Sequence, residues 1–135
     1  MPDDRAASEP GVVTKLSPLT VAGTTARLVD ILAANGVKLF TVIDQSAEAH
    51  LVGLDLRDTT LVIFGNPAAG TPVMAASPMS ALDLPLKVLV WDDGGQTRVS
   101  YYAPAEIAAR HGLGPGLEKN LAAIDALTDA LVAQS

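Results

Sequence analysis

A chain of 135 residues with a formal net charge of −6 and no cysteine reads as one domain without disulfides, thiolate metal sites or iron–sulfur clusters. With 49% hydrophobic residues against 18% charged, it has enough apolar surface for a core of its own. The acidic balance argues against nucleic acid, whose phosphates would be repelled, and no apolar run approaches the ~20 residues that a membrane span needs.

The first ten residues, MPDDRAASEP, are polar and acidic. They lack the basic start and apolar stretch of a signal peptide, so residues 1–10 are expected as a disordered tail on a cytoplasmic protein. Gly11 to Leu16 predicts a short strand, broken at Ser17-Pro18. Thr20 is placed to cap a helix from Val21 to Asn35, where Val21, Leu28, Ile31 and Leu32 recur on one face and Gly36 ends it. Val37 to Ile43 predicts the second strand. Asp44 or Ser46 then caps a short helix that stops at Gly53.

Thr59 to Phe64 is apolar on consecutive residues, which predicts a strand covered on both faces. Thr71-Pro72 and Ser77-Pro78 each pair an N-cap residue with a proline at the first helical position. They predict two short helical turns held to the sheet by Val73, Met74, Met79 and Leu82. Leu86–Trp91 and Arg98–Tyr102 form a hairpin through Asp92-Asp93-Gly94-Gly95. Pro104 opens a helix that ends at Gly112. Gly114-Pro115-Gly116 reads as a hinge before a last helix, where Leu117, Leu121, Ile124, Leu127 and Leu131 make a stripe.

The hairpin makes at least part of the sheet antiparallel. The expected class is therefore α+β: a single two-layer domain whose antiparallel or mixed sheet is covered by helices. Its units are the tail 1–10, a domain over 11–113 and a C-terminal helix over 114–135.

Gly65-Asn66-Pro67-Ala68-Ala69-Gly70 has the glycine spacing of a phosphate-binding loop and follows a strand. The lysine that should come next is replaced by Thr71, and Pro72 removes an amide, so nucleotide hydrolysis in its usual form is excluded. An anion nest from the amides of Ala69, Gly70 and Thr71 with the Asn66 side chain is one reading, and a plain turn off a buried strand is the other. Arg57 beside Asp58 is either an anion clamp or a solvated pair. Asp83, between Leu82 and Leu84, either caps local amides or acts as an acid with a shifted pKa. Of Tyr101 and Tyr102, one must face the core. The two histidines, His50 and His111, fit no metal-ligand spacing. His111 has a sufficient role at a helix C-terminus, where an imidazolium complements the dipole. No metal and no cofactor are expected.

Gly53-Leu-Asp-Leu-Arg-Asp-Thr-Thr-Leu-Val-Ile-Phe-Gly-Asn-Pro67, Gly70-Thr-Pro72 and Ala81-Leu-Asp-Leu-Pro-Leu-Lys-Val-Leu-Val-Trp91 resemble the DUF302 family of small bacterial domains. Thr24 and Arg27-Leu28 match its first helix, and Tyr101 to Leu113 is similar to its end, so the resemblance covers residues 12 to 113. It implies a compact α+β domain of unknown function that forms dimers. Many relatives carry a histidine where this chain has Gln45, and a polar Asn or Asp within Tyr102-Ala103-Pro104. Any chemistry at those positions is absent here.

The leading expectation is a homodimeric module that binds a small anionic or amphipathic ligand through Arg57, Asn66, Gly70, Thr71, Asp83 and Tyr101. The alternatives are an enzyme using Asp83, Arg57 and Tyr101, and a protein–protein interaction domain. The last helix and an exposed sheet edge are the expected dimer contacts, with packing of that helix onto its own domain as the alternative.

Overall fold

The computed structural model describes residues 9–133, so most of the expected tail lies outside the described residues. Among the described residues the chain forms five strands and six α-helices. They are β1 (Val12–Ser17), α1 (Val21–Ala34), β2 (Lys38–Asp44), α2 (Gln45–Leu51), β3 (Thr59–Gly65), α3 (Pro67–Ala76), β4 (Leu86–Asp93), β5 (Gln96–Tyr102), α4 (Pro104–His111), α5 (Pro115–Glu118) and α6 (Ala123–Val132). Two 3-10 turns, Pro78–Leu82 and Lys119–Leu121, complete the set. Local chemistry sets the boundaries. The Thr20 hydroxyl accepts from the Gly23 amide at 3.0 Å and the Asp44 carboxylate from the Ala47 amide at 2.9 Å, each satisfying a donor of the first helical turn. The β4–β5 hairpin turns through Gly94 and Gly95, both at positive φ (60° and 98°), which side-chain-bearing residues rarely adopt.

The strands form one sheet in the order β1-β5-β4-β3-β2, and every neighbouring pair is antiparallel. β1 and β2 are thus opposite edges, and the 14 residues of α1 link them. At 1.5 Å per residue α1 is about 21 Å long, close to the roughly 19 Å between the outer strands of a five-stranded sheet. It packs on β2, β3 and β4, and α6 lies beside it and over β1. Between this helical layer and the sheet sits the main core, with Leu28, Leu32, Val62, Phe64, Val90 and Leu131 among its buried members. A smaller core of Val73, Leu84, Ile107 and Leu121 lies where α3, α4 and the segment after α5 meet at one end of the sheet.

The fold class is the expected one, and four local expectations are corrected. β3 is covered on one face only: Thr60, Val62 and Phe64 are buried while Leu61 and Ile63 are half-buried. Its consecutive apolar residues mark an open sheet face whose side chains shield one another. Thr71-Pro72 does not start a helix. Asn66 caps α3 with Pro67 in its first turn, and Pro72 lies inside the helix. Val73 is buried and Met74 half-buried as expected, but Met79 is 64% and Leu82 74% exposed, because their turn projects outward. The last helix is not continuous either. Gly114 and Pro115 start α5, and a 3-10 turn separates it from α6. The apolar stripe packs onto its own domain, with Leu121, Ile124, Leu127 and Leu131 all buried.

Candidate functional site

Among the six candidate residues, Asp83 and Tyr101 both line one groove, Asn66, Gly70 and Thr71 line one cavity, and Arg57 lines neither. Arg57 is 56% exposed and lies 3.8 Å from Asp93, with its guanidinium 6.0 Å from the Trp91 ring on the open sheet face. Asp93 is held more closely by Arg98, at 2.8 Å. Arg57 therefore belongs to a surface ion-pair group and not to the Asn66–Thr71 loop.

Tyr101 is the core tyrosine, 4% exposed, whereas Tyr102 is 50% exposed on the opposite face. The Tyr101 hydroxyl donates to Asp125 at 2.6 Å and accepts from the Thr128 hydroxyl at 3.3 Å. Lys15 closes this network: its ammonium donates to Thr128 at 2.6 Å, pairs with Asp129 at 2.8 Å and lies 5.3 Å from the Tyr101 ring. Burial and the Asp125 hydrogen bond raise the Tyr101 pKa. Burial alone would lower that of Lys15, but its bonds to Asp129 and Tyr101 reverse the sign and leave it raised. The network clamps α6 to β1 and β5.

Asp83 joins two partners that sequence spacing did not reveal. His111 Nε2 is 2.5 Å from Asp83 Oδ2, and Arg110 Nη1 donates to Asp83 Oδ1 at 2.9 Å. Partial burial pushes the Asp83 pKa up. The His111 hydrogen bond and the Arg110 charge outweigh it and hold the carboxyl below its ordinary value. An ionised carboxylate only accepts, so His111 Nε2 carries the hydrogen. Arg110 also reaches Glu106 at 3.4 Å and stacks 4.9 Å over Tyr102. Asp83 thus ties the end of α4 to the segment before β4. A 570 Å³ groove on the open face runs past it, over Leu61, Leu89, Trp91 and Lys87. Tyr101 lines the same groove, without a hydrogen bond to Asp83 among the described residues, whereas Arg57 lies outside its lining beside Asp93.

Asn66, Gly70 and Thr71 do share a cavity. It has a volume of about 510 Å³ and opens between α3, the ends of β2 and β3, and α6. Phe40, Phe64, Met74 and Leu127 give it apolar walls, and Asn35, Asn66 and Asn120 supply polar groups. The anion nest is not formed. The Ala69 and Gly70 amides donate to the Asn66 carbonyl, both at 2.9 Å, and Asn66 Oδ1 is used by the Ala68 amide at 3.0 Å. Among the described residues no lysine, arginine, aspartate or glutamate lines the cavity. Asn35 and Asn120 donate through Nδ2 to the Ile31 and Ala69 carbonyls, at 2.8 and 3.0 Å. Two amide oxygens and the Asn66 NH₂ therefore remain without a protein partner among the described residues. The sequence signal for this site was the Gly/Pro/Asn loop itself. Asn35 and Asn120, distant in sequence, carried none.

A family model described as "Domain of unknown function DUF302" matches residues 13–131. The chain belongs to the DUF302 family. The match runs past Leu113, where the resemblance read from sequence stopped, and takes in α6, as its place in the core requires. A crystal structure titled an uncharacterized conserved protein DUF302 from Bacillus stearothermophilus is similar to it, with a TM-score of 0.77 and 19% identity. That similarity covers 91% of this chain and 96% of the other and speaks to the fold. Proteins named "Fluoride-specific ion channel FluC 1", from Brucella suis and Brucella abortus, are each 41% identical to this DUF302 chain over 105 residues. The matched stretch is 77% of this chain but 41% and 39% of those relatives, so the chain spans about two-fifths of their length. No helix among its own described residues is long and apolar enough to cross a membrane.

Proposed function

We propose that this domain is a binding module for a small, uncharged amphipathic molecule, held in the cavity beside α3. The observation that carries this reading is the lining of that cavity: apolar walls, three asparagines and no charged side chain. Its volume falls within the range of small-molecule sites, which are mostly apolar with a few placed polar groups. An anion would leave water there without a compensating cation, at a large desolvation cost. The Asn35 and Asn120 oxygens and the Asn66 NH₂ suit a ligand whose polar end both donates and accepts, such as an amide or an alcohol.

The test compares two fluorescent probes, neutral N-phenyl-1-naphthylamine and anionic anilinonaphthalene sulfonate, on the wild type and on Gly70→Leu. A Cβ at Gly70 meets only the Met74 side chain, at 3.9 Å, so the larger residue fits α3 while filling the cavity. The neutral probe should bind the wild type more tightly and lose at least tenfold in affinity in the variant. Equal binding to both proteins, or preference for the anion, overturns the reading.

A second reading rests on the named relatives: the domain acts as the companion of a fluoride-specific channel. The supporting observation is 41% identity over a stretch that leaves more than half of those proteins for other parts. Fluoride efflux from vesicles holding such a channel, with and without this chain, tests it. An unchanged rate and fluoride dependence rejects it.

A further inference from the structure

The exposed apolar residues of this chain are concentrated in one stretch. Leu39, Phe40 and Val42 of β2 are 37–45% exposed, and Leu51 at the end of α2 with Val52, Leu54 and Leu56 after it are 46–78% exposed. The loop that carries the last three leads into β3, whose Thr60 pairs with Asp44 at the end of β2, so both groups flank the same edge of the sheet. β2 is the outer strand there. Among the described residues one side of it pairs with β3, and the other presents its amides and carbonyls to no strand.

The two edges of the sheet differ in a telling way. β1 bears Lys15 among its strand residues, tied down by α6, and a charged residue of that kind blunts an edge. β2 reads Lys38-Leu39-Phe40-Thr41-Val42-Ile43-Asp44, with its charges only at the two ends. The register shifts between Leu39 and Thr41, which leaves Thr41–Asp44 as the regular part of this edge, and an exposed hydrophobic edge is a template for strand addition.

We propose that β2 is the dimer interface: a second copy of this chain adds its own β2 antiparallel to this one, about a two-fold axis, joining the two sheets into one. Two observations favour a second copy as the occupant. Antiparallel pairing of β2 with itself sets the Lys38 end of one copy against the Asp44 end of the other, so opposite charges meet at both ends of an apolar centre. The area also fits. The seven exposed side chains present roughly 400 Å² of apolar surface at the usual area per aliphatic side chain. A standard interface takes about 800 Å² per partner, a little over half of it apolar, and so needs roughly 450 Å². The stripe of the last helix cannot serve, because its residues are buried in their own domain.

Sedimentation equilibrium on the full chain decides this, with variants Val42→Lys and Leu54→Glu and control Leu82→Glu. The lysine stem can lie along the strand with its charge in water, and Leu54 and Leu82 are 63% and 74% exposed, so all three should keep the wild-type thermal midpoint to within a few degrees. The wild type should sediment at twice 13.9 kDa. Val42→Lys and Leu54→Glu should each raise the dimer dissociation constant at least tenfold, and Leu82→Glu should leave it unchanged. A monomeric wild type, or a dimer that neither variant weakens, overturns the proposal. So does a dimer broken by Leu82→Glu, which would place the contact on the open sheet face. Phe40 is common to this edge and the cavity wall, but the substituted residues Val42 and Leu54 do not line the cavity, so a loss of dimer in these variants with probe binding retained separates the two readings.

Discussion

His111 and Asp83 meet at 2.5 Å, although 28 positions separate them, and Arg110 takes the other oxygen of the same carboxylate. Two consecutive residues at the end of one helix thus hold one acid at the start of another segment. Asp83 joins elements that also share the smaller core and a hydrogen bond from the Ser77 hydroxyl to the His111 carbonyl.

Replacing Asp83 by Asn should cost about 1–2 kcal/mol at pH 7, the worth of charge-assisted hydrogen bonds discounted for the exposure of Arg110. Because the folded-state pKa of Asp83 is lowered, its contribution is present above the unfolded carboxyl value and is lost as the pH falls through the folded one. Urea denaturation of wild type and variant at neutral pH and below about pH 4 checks this. The stability gap should close in acid. A gap that persists or widens there contradicts the assignment.

The Tyr101 network should respond at the other end of the pH scale. Tyr101→Phe keeps the ring in the core but removes the donor to Asp125, at an expected cost of about 1 kcal/mol. The Tyr101 and Lys15 pKa values are both raised, so each group favours folding at neutral pH and loses that contribution as the pH climbs through its folded value, above about 10. The variant should lose less stability than the wild type between pH 9 and the alkaline limit of folding. Tyrosine absorbance titration gives an independent check, with the Tyr101 transition displaced upward from the ordinary phenol value.

The sequence groups Arg57 with Asn66, Gly70 and Thr71 as expected ligand-binding residues, and its position beside Asp93 predicts otherwise. Arg57→Ala should change stability by less than about 0.5 kcal/mol, as expected of an exposed pair at 3.8 Å, and should leave probe binding in the cavity unchanged. A marked fall in probe affinity would reconnect Arg57 to the site.

What the sequence disclosed followed from periodicity and caps. Thr20, Asp44 and Gly112 mark element ends where they were expected, and the Asp92–Gly95 stretch makes its hairpin. Proline misled where one helix holds two. Either Pro67 or Pro72 suits a first helical turn, and only the Asn66 cap, with its bond to the Ala68 amide, selects the earlier one. Helical spacing found the stripe from Leu121 to Leu131 but could not say what it covers. That is decided by α1, which lies across the same sheet face far away in the chain. The cavity was half visible: Asn66, Gly70 and Thr71 lie on one loop and helix, but Asn35 and Asn120 reach it from other elements. The Asp83–His111 contact was hidden for the same reason, since no local pattern signals a contact between residues that distant in sequence.

The buried stripe has a consequence for truncation. A chain ending at Leu113 loses Leu121, Ile124, Leu127 and Leu131, of which all but Leu127 are at most 1% exposed. It also loses Asp125 and Thr128, so the Tyr101 hydroxyl is left without either partner. Burying one such aliphatic side chain is worth about 1.5–3 kcal/mol, so the four together represent roughly 6–12 kcal/mol. That is comparable to the whole stability of a domain, about 5–15 kcal/mol. Leu28 and Leu32 of α1 belong to the same core, and α1 would lose α6 as its neighbour. The truncated chain should therefore fail to fold cooperatively, giving no sharp thermal transition by circular dichroism and a collapsed proton–nitrogen correlation spectrum. Leu131→Ala in the full chain should show the same dependence in milder form, losing about 2–5 kcal/mol while remaining folded. A truncation that melts like the full chain would mean that α6 covers no core, and the sheet would need another cover for the face on which Val62, Val90 and Val99 are buried.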